Sequence, residues 1–169
     1  MTYKDPSYVI FDGDNDKWAY AFMKGWKAND RVDFDFRDAH DLDTMTGRAQ
    51  SEEYVKARLR ERMNNSKAAI VILGDSTKNL YKYVRWEIDL AKQIGLPIIV
   101  VNLNGLRVQD NEKCPAILRD DCAVHVSFNM AIIRHALDNW PAEFRAFPLE
   151  TKAKGGRHYG TQVYQGLGL

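Results

Sequence analysis

The sequence predicts an α/β protein with a parallel sheet of five strands and helices on both faces of the sheet. Five short apolar segments alternate along the chain with longer segments whose apolar residues recur at helical spacing. Alternation of this kind is typical of a parallel sheet, because each parallel strand needs a crossover to reach the next. Five strands in a chain of this length fit the flavodoxin-like strand order 2-1-3-4-5. The predicted strands are residues 8–11, 32–36, 68–73, 97–103 and 123–128.

The strand segments differ in how deeply they are expected to lie. Residues 68–73 (AAIVIL) and 97–103 (PIIVVNL) are nearly continuous apolar runs, which indicates strands covered on both faces. Residues 32–36 alternate apolar and acidic side chains, which indicates a strand near an edge of the sheet. In such sheets ligands bind at the carboxyl ends of the strands, next to the point where the strand order reverses. Those ends are residues 11–16 and 74–77.

The helices are predicted from apolar side chains spaced three and four residues apart. One such face runs from Trp18 to Trp26, and the residues of the DGDND turn before it are candidate N-caps. Further helices are predicted around Leu59, over 80–94 before Gly95 and Pro97, and over about 130–139. The glycine-rich segment 141–169 is predicted to be an extension of the 1–140 domain, packed on that domain or on a partner chain.

Composition limits the function classes. The 169 residues fit one domain, and a net charge of +1 gives no electrostatic reason to expect nucleic-acid or membrane binding. No apolar stretch approaches the ~18 residues of a membrane helix, and no secretory signal is expected from the opening residues. The spacing of Cys114 and Cys122 is not that of a zinc site. We therefore expect a cytoplasmic protein with free thiols, no metal and no cofactor.

Glu87 is the first candidate for chemistry. On the wheel of the 80–94 helix it falls within the apolar stripe, so its carboxylate must be paired, desolvated or directed into a cleft. Burial of a carboxylate raises its pKa and suits it to acid–base or ion-stabilising work. A structural ion pair, with Arg37 or Arg58, explains the pattern equally well. Tyr83 lies one helical turn before Glu87 and is therefore its neighbour on the helix surface.

The DGDND turn (residues 12–16) permits three interpretations. A calcium loop fails, because its sixth position is Lys17 instead of glycine and its twelfth is Met23 instead of glutamate. VIFDGD resembles the opening motif of haloacid-dehalogenase-like phosphatases, but the later acidic magnesium motif is not clearly found. Capping of the helix that follows is the simplest explanation of Asp14 and Asp16.

Residues 65–103 carry a family resemblance. They read NSKAAIVILGDSTKNLYKYVRWEIDLAKQIGLPIIVVNL, and the opening YVIFDGDND with Trp18 downstream fits the same pattern. The segment resembles the TIR-like (Toll/interleukin-1-receptor-like) sensor proteins of the bacterial Thoeris anti-phage system. The resemblance covers about residues 7–140 and implies a flavodoxin-like fold.

The resemblance to TIR-like proteins also implies an enzymatic activity. Many TIR domains cleave the nicotinamide–ribose bond of NAD⁺ with a glutamate four residues after an aromatic, and Glu87 and Tyr83 match that pattern. In Thoeris systems the product is a nucleotide signal, often a cyclised ADP-ribose, that switches on a separate effector. NAD⁺ is thus the implied substrate. Self-assembly is implied too, and Trp86 and the tail are the candidate contacts.

Topology adds the residues expected around the nucleotide. The loops after strands one and three are expected to border it, and the loop after strand two is expected to form a flap. The predicted substrate-binding residues are Phe11, Asp12, Gly13, Arg37, Asp38, Asp75, Ser76 and Tyr83. Two other functions stay open: a non-catalytic interaction module of the adaptor-TIR or receiver kind, and a nucleoside deoxyribosyltransferase-like enzyme.

Overall fold

A computed structural model describes residues 6–27, 36–37, 51–79, 82–152 and 155–169. Within these residues the chain forms one parallel sheet of six strands with helices on both faces. The strands are β1 (Ser7–Ile10), β2 (Phe36–Arg37), β3 (Ala68–Leu73), β4 (Ile98–Asn102), β5 (Ala123–Ser127) and β6 (Arg157–His158). The helices are α1 (Lys17–Lys27), α2 (Glu52–Asn64), α3 (Lys82–Ile94), α4 (Ala116–Arg119), α5 (Met130–Ala146), α6 (Leu149–Lys152) and α7 (Thr161–Gly166).

The predicted fold class, a parallel α/β sheet with helices on both faces, is confirmed. The strands lie in the order β2-β1-β3-β4-β5-β6, and each pairs in parallel with its neighbour. β1 therefore lies between β2 and β3. After β1 the chain crosses to β2 on one side, and after β3 it crosses to β4 on the other side. The carboxyl ends of β1 and β3 meet at that point, which places their loops side by side.

Two apolar cores hold the helices to the sheet. Every residue of β3 and of β4 is buried, as their continuous apolar sequences predict. Because side chains alternate along a strand, Val9 and Ile70 point into the core under α1 and α5. Tyr8 and Val71 point into the opposite core, under α2 and α3. Tyr8 and Phe11 therefore lie in different cores, on opposite sides of the sheet.

The edges of the sheet differ from the prediction in detail. β2 is an outer strand, as its alternation indicates, and Phe36 is in register with Ser7 of β1. Of the predicted strand 32–36, residues 32–35 lie outside the described residues. The other edge is β6, a strand that the sequence analysis did not predict, in which His158 is in register with His125.

The end of the chain packs on the sheet. α5 continues through Pro141 to Ala146, beyond the predicted end near residue 139. Tyr164 of α7 is buried in the same core as Trp140, and its hydroxyl accepts a hydrogen bond from the Ser127 backbone N–H at 3.4 Å. The position of a boundary near residue 141 stays a prediction.

Candidate functional site

Glu87 lies at the middle of α3, on the face that packs against the sheet. Val84, Ile88 and Ala91 of the same helix are buried in the core shared with α2, and Glu87 is itself only 2% exposed. The helix ends where Gly95 adopts a φ of +77°, a left-handed conformation that favours glycine. The helical wheel thus placed Glu87 correctly on the apolar face.

Tyr8 of β1 contacts the carboxylate directly. Its hydroxyl donates a hydrogen bond of 2.6 Å to Oε1 of Glu87, and the tyrosine side chain is 0% exposed. The short distance is typical of an O–H donor bound to a carboxylate. A buried carboxylate needs such donors, since an isolated charge in an apolar core is very costly. The sequence alone does not indicate Tyr8 as the partner of Glu87, because the two residues lie 79 positions apart.

Tyr83 and Trp86 flank Glu87 along α3. Their rings are in edge-to-face contact, with centroids 5.6 Å apart, and both pack at the margin of the core under α2 and α3. Lys56 of α2 places its ammonium 4.7 Å from the Trp86 ring centroid. Trp86, which the resemblance made a candidate for self-assembly contacts, is thus partly buried against α2.

Arg37 and Arg58 are the two candidate partners for a structural ion pair with Glu87. Nη1 of Arg58 lies 2.9 Å from Oε2 of Glu61, one turn along α2, in an exposed ion pair. Arg37 is placed by its backbone in β2, next to β1 and in register with Tyr8, and its side chain is outside the described residues. Asp38, predicted with Arg37 to form a flap, also lies outside them.

Asp12 organises the loop after β1. Its Oδ1 accepts a hydrogen bond from the Asp14 backbone N–H, and its Oδ2 accepts bonds from Asn15 Nδ2 at 2.9 Å and from Ser76 Oγ at 2.6 Å. Burial acts to raise the pKa of Asp12, but these donors outweigh it and hold the pKa below its ordinary value. The structure therefore brings together Asp12 and Ser76, two of the predicted substrate-binding residues, through a hydrogen bond between their loops.

Asp16 immediately precedes α1 and packs against Gly74. A Cβ on Gly74 would collide with the Asp16 carboxylate, so this contact requires glycine. Oδ2 of Asp16 also accepts a hydrogen bond of 3.3 Å from the Thr77 hydroxyl. Burial, followed by the charge of Asp12, raises the pKa of Asp16. The role of Asp16 therefore includes contact with the loop after β3, in addition to its position at the start of α1.

A cavity of about 420 Å³ opens beside these loops, at the carboxyl ends of β1, β3 and β4. Asp16, Asp75 and Ser76 line it, together with Trp18 of α1 and Lys113, which follows β4. The Lys113 ammonium lies 2.5 Å from Oδ1 of Asp75 and ties the two loops together. The hydrogen bond from Lys113 and the positive charge of its ammonium lower the pKa of Asp75.

The predicted site residues thus fall into separate groups. Asp75 and Ser76 line the cavity, whereas Glu87 and Tyr83 lie on α3, outside its described lining. Phe11 is buried in the core, where its ring stacks on Tyr20 with centroids 4.7 Å apart. Gly13 lies in the half-buried turn that follows. Lys113 is not indicated by the sequence, because its place at the site depends on its contact with Asp75.

The described residues also bear on two other classes of site, metal centres and membrane spans. Within residues 6–27, 36–37, 51–79, 82–152 and 155–169, no group of three or more histidine, cysteine, aspartate or glutamate side chains could hold a metal ion. No helix in the same part of the chain is long and apolar enough to cross a membrane. Cys114 and Cys122 are buried free thiols, as predicted.

The fold and the buried carboxylate define a class: parallel α/β domains with an acidic side chain on the helix that follows the third strand. A comparison with protein families shows which family of this class the chain matches. The family model described as "Thoeris protein ThsB, TIR-like domain" matches residues 8–108, more than half of the chain. The protein therefore belongs to the Thoeris TIR-like domain family. The matched region contains Tyr8, Glu87 and the loops after β1 and β3.

Proposed function

We propose that this protein cleaves the nicotinamide–ribose bond of NAD⁺, with Glu87 as the catalytic carboxylate, and releases a nucleotide signal of the cyclic ADP-ribose type in anti-phage defence. The observation that carries the proposal is the burial of Glu87 on α3 with a tyrosine donor on its carboxylate. Membership of the Thoeris TIR-like family supports it.

The chemistry requires a negative charge close to ribose C1′. When the bond between C1′ and the nicotinamide nitrogen breaks, the electron pair leaves with nicotinamide, which becomes neutral. The ribose is left as an oxocarbenium-like cation, and a carboxylate beside it lowers the barrier electrostatically. Water can then add to C1′ with loss of a proton and give ADP-ribose. Attack by a ring nitrogen of the adenine, in place of water, gives a cyclic product.

The apolar surroundings of Glu87 strengthen the electrostatic effect of its carboxylate. Coulomb attraction between the carboxylate and a developing cation is stronger where water is excluded. The buried side chains of Val84 and Ile88 lie on the same helix face. Phe11, Asp12, Gly13, Arg37, Asp38, Asp75, Ser76 and Tyr83 remain the proposed nucleotide-contacting residues, with no resident cofactor.

The test is nicotinamide release from NAD⁺, followed by chromatography, for the wild-type protein and for Glu87→Gln. Lysate from phage-infected cells supplies the activated condition. Glu53→Gln is the matched control, because Glu53 is an exposed glutamate on the neighbouring helix α2. We expect release from the wild type and from Glu53→Gln, and a loss of at least about 100-fold in Glu87→Gln, the size typical for removal of a preorganised electrostatic group.

A second candidate function is a non-catalytic interaction module. The exposed aromatic face of α1 favours it: Trp18 is 51% exposed and Phe22 60% exposed. If folded protein releases no nicotinamide either with or without the lysate from phage-infected cells, that result would favour this function. Release of a free base from a deoxynucleoside, with NAD⁺ left intact, would instead indicate a deoxyribosyltransferase-like enzyme.

A further inference from the structure

The outer face of α1 is apolar and exposed. Trp18 is 51% exposed and Phe22 is 60% exposed, whereas Ala19, Tyr20 and Met23 on the opposite face of the helix are buried in the core. A contiguous apolar patch on the surface of a folded domain marks an interaction site more often than scattered apolar residues do. The arrangement of side chains around α1 indicates which kind of partner fits this face.

Three strips of exposed residues run side by side along α1: an aromatic strip, a strip of small residues and a basic strip. In that order around the helix they are Trp18 with Phe22, Ala21 with Gly25, and Lys17 with Lys24. Nothing lies within 4 Å of a Cβ built on Gly25, so the middle strip is an open groove. Small side chains in a groove let the backbone of a second helix approach closely.

The aromatic side chains of this face are held in place before any partner binds. The Trp18 ring is in edge-to-face contact with Phe22, with centroids 6.2 Å apart, and with Phe128, with centroids 5.8 Å apart. Trp26 packs on the same Phe128 ring at 5.3 Å and also lines the groove. Because the ordering of side chains costs affinity, aromatic rings that are already ordered bind a partner with less loss.

The charges along α1 have one sign. The helix contains lysines and no acidic residue, and the acidic residues of the 12–16 turn precede it. A partner with acidic side chains beside its apolar ones therefore complements both outer strips. Two copies of this chain, joined through antiparallel α1 helices, would instead bring their lysine strips together, because the two-fold axis keeps both strips on the same side. Charge thus favours an acidic partner over a second copy.

The size of the face limits the partner further. Between Trp18 and Trp26 the helix rises about 12 Å, and it is about 10 Å wide, so the footprint is on the order of 100–200 Å². A standard protein–protein interface buries roughly 800 Å² on each partner. This face alone is too small for a stable dimer, whereas one amphipathic helix laid along the groove covers it.

We propose that the outer face of α1 docks an acidic amphipathic helix of another protein. Apolar residues of that helix, three and four positions apart, would pack on Trp18 and Phe22, and its acidic residues would lie beside Lys17 and Lys24. The proposal does not depend on cleavage of NAD⁺ at Glu87. α1 packs in one core of the sheet, and the helix that carries Glu87 packs in the other.

Fluorescence anisotropy of labelled synthetic helices, titrated with the full-length chain, tests the proposal. Two peptides of about five helical turns share the same leucine stripe and differ only in their charged positions, which are glutamate in one and lysine in the other. We expect the acidic peptide to bind with a Kd below about 100 μM and the basic peptide to bind at least about tenfold more weakly. Phe22→Ala, at an exposed position that carries little risk to folding, should weaken binding of the acidic peptide at least about tenfold, as expected for an aromatic anchor.

Charge reversal tests the role of the lysine strip. The double variant Lys17→Glu/Lys24→Glu should bind the basic peptide more tightly than the acidic one. Arg60→Glu/Arg145→Glu is the charge-matched control, because these two exposed arginines lie on α2 and α5, and it should keep the wild-type order of affinities. Tyr54→Ala removes another exposed aromatic, on α2, and should leave peptide binding unchanged.

Three results would overturn the proposal: a Kd for the acidic peptide above about 100 μM, equal binding of the two peptides, or wild-type binding by Phe22→Ala. Sedimentation of the chain alone and flotation with phosphatidylserine vesicles test the other occupants. A dimer or a vesicle complex that is lost in Phe22→Ala would assign the face to a second copy or to a membrane, and would overturn the proposal too. Glu87→Gln should bind the acidic peptide like the wild type, so failure of NAD⁺ cleavage and failure of docking are separate outcomes.

Discussion

The hydroxyl of Tyr8 on β1 donates a 2.6 Å hydrogen bond to Oε1 of Glu87 on α3. The two residues are 79 positions apart in the sequence, and both side chains are buried. A donor held on a central strand fixes the carboxylate more firmly than a donor on a surface loop, because the strand is paired on both sides. This relationship leads to a prediction for activity and another for stability.

Tyr8→Phe removes the donor and keeps the ring. In the activated condition we expect kcat for nicotinamide release to fall about 10- to 100-fold, the equivalent of about 1.5–3 kcal/mol for a hydrogen bond to a charged group. KM should change little, because Tyr8 acts through Glu87 and is not proposed to contact NAD⁺. Tyr164→Phe is the matched control, since Tyr164 is a buried tyrosine of the opposite core. An unchanged kcat in folded Tyr8→Phe would remove Tyr8 from the mechanism.

The same pair should be coupled in stability. We compare the free energy of unfolding of Tyr8→Phe, Glu87→Met and the double variant by urea denaturation. Glu87→Met alone leaves the buried Tyr8 hydroxyl without this acceptor, which is expected to cost about 1–3 kcal/mol, and Tyr8→Phe in the same chain should recover part of that cost. Coupling below about 0.5 kcal/mol would show that the bond contributes nothing to folding.

Gly74 should not tolerate a side chain, because a Cβ there would collide with the Asp16 carboxylate. We expect Gly74→Ala to lower the free energy of unfolding by about 1–3 kcal/mol, the usual cost of overpacking. Gly25→Ala is the matched control: nothing lies within 4 Å of its Cβ position in α1, and alanine there should stabilise the helix by about 0.5–1 kcal/mol. Equal effects of the two substitutions would contradict the close packing of Asp16 on Gly74.

The sequence predicts some of these features and not others for physical reasons. The apolar runs of β3 and β4 identify buried strands, because a strand covered on both faces needs apolar side chains at every position. β6 has no such signal, since Arg157 and His158 pair with β5 at an edge that demands no apolar pattern.

The candidate site divides in the same way. Burial of Glu87 follows from its position on one helix, which the 3.6-residue period reveals. Its bond to Tyr8, and the packing of Lys56 on Trp86, depend on contacts between elements far apart in the sequence. A single sequence carries no record of such pairs, so only three-dimensional coordinates reveal them.

The last prediction concerns His125, which is 0% exposed in β5 and has no hydrogen-bond partner for either ring nitrogen among the described residues. Burial, with a smaller contribution from His158, lowers its pKa from 6.5 to about 4. The unfolded chain therefore binds a proton at His125 between about pH 6.5 and pH 4 that the folded chain does not. Stability should fall as the pH is lowered through this window. His125→Leu should flatten that slope, whereas His135→Gln, at a half-buried histidine on α5, should leave it in place. Urea denaturation at intervals between these pH values measures the difference, and equal slopes in wild type and His125→Leu would show that another group causes the loss.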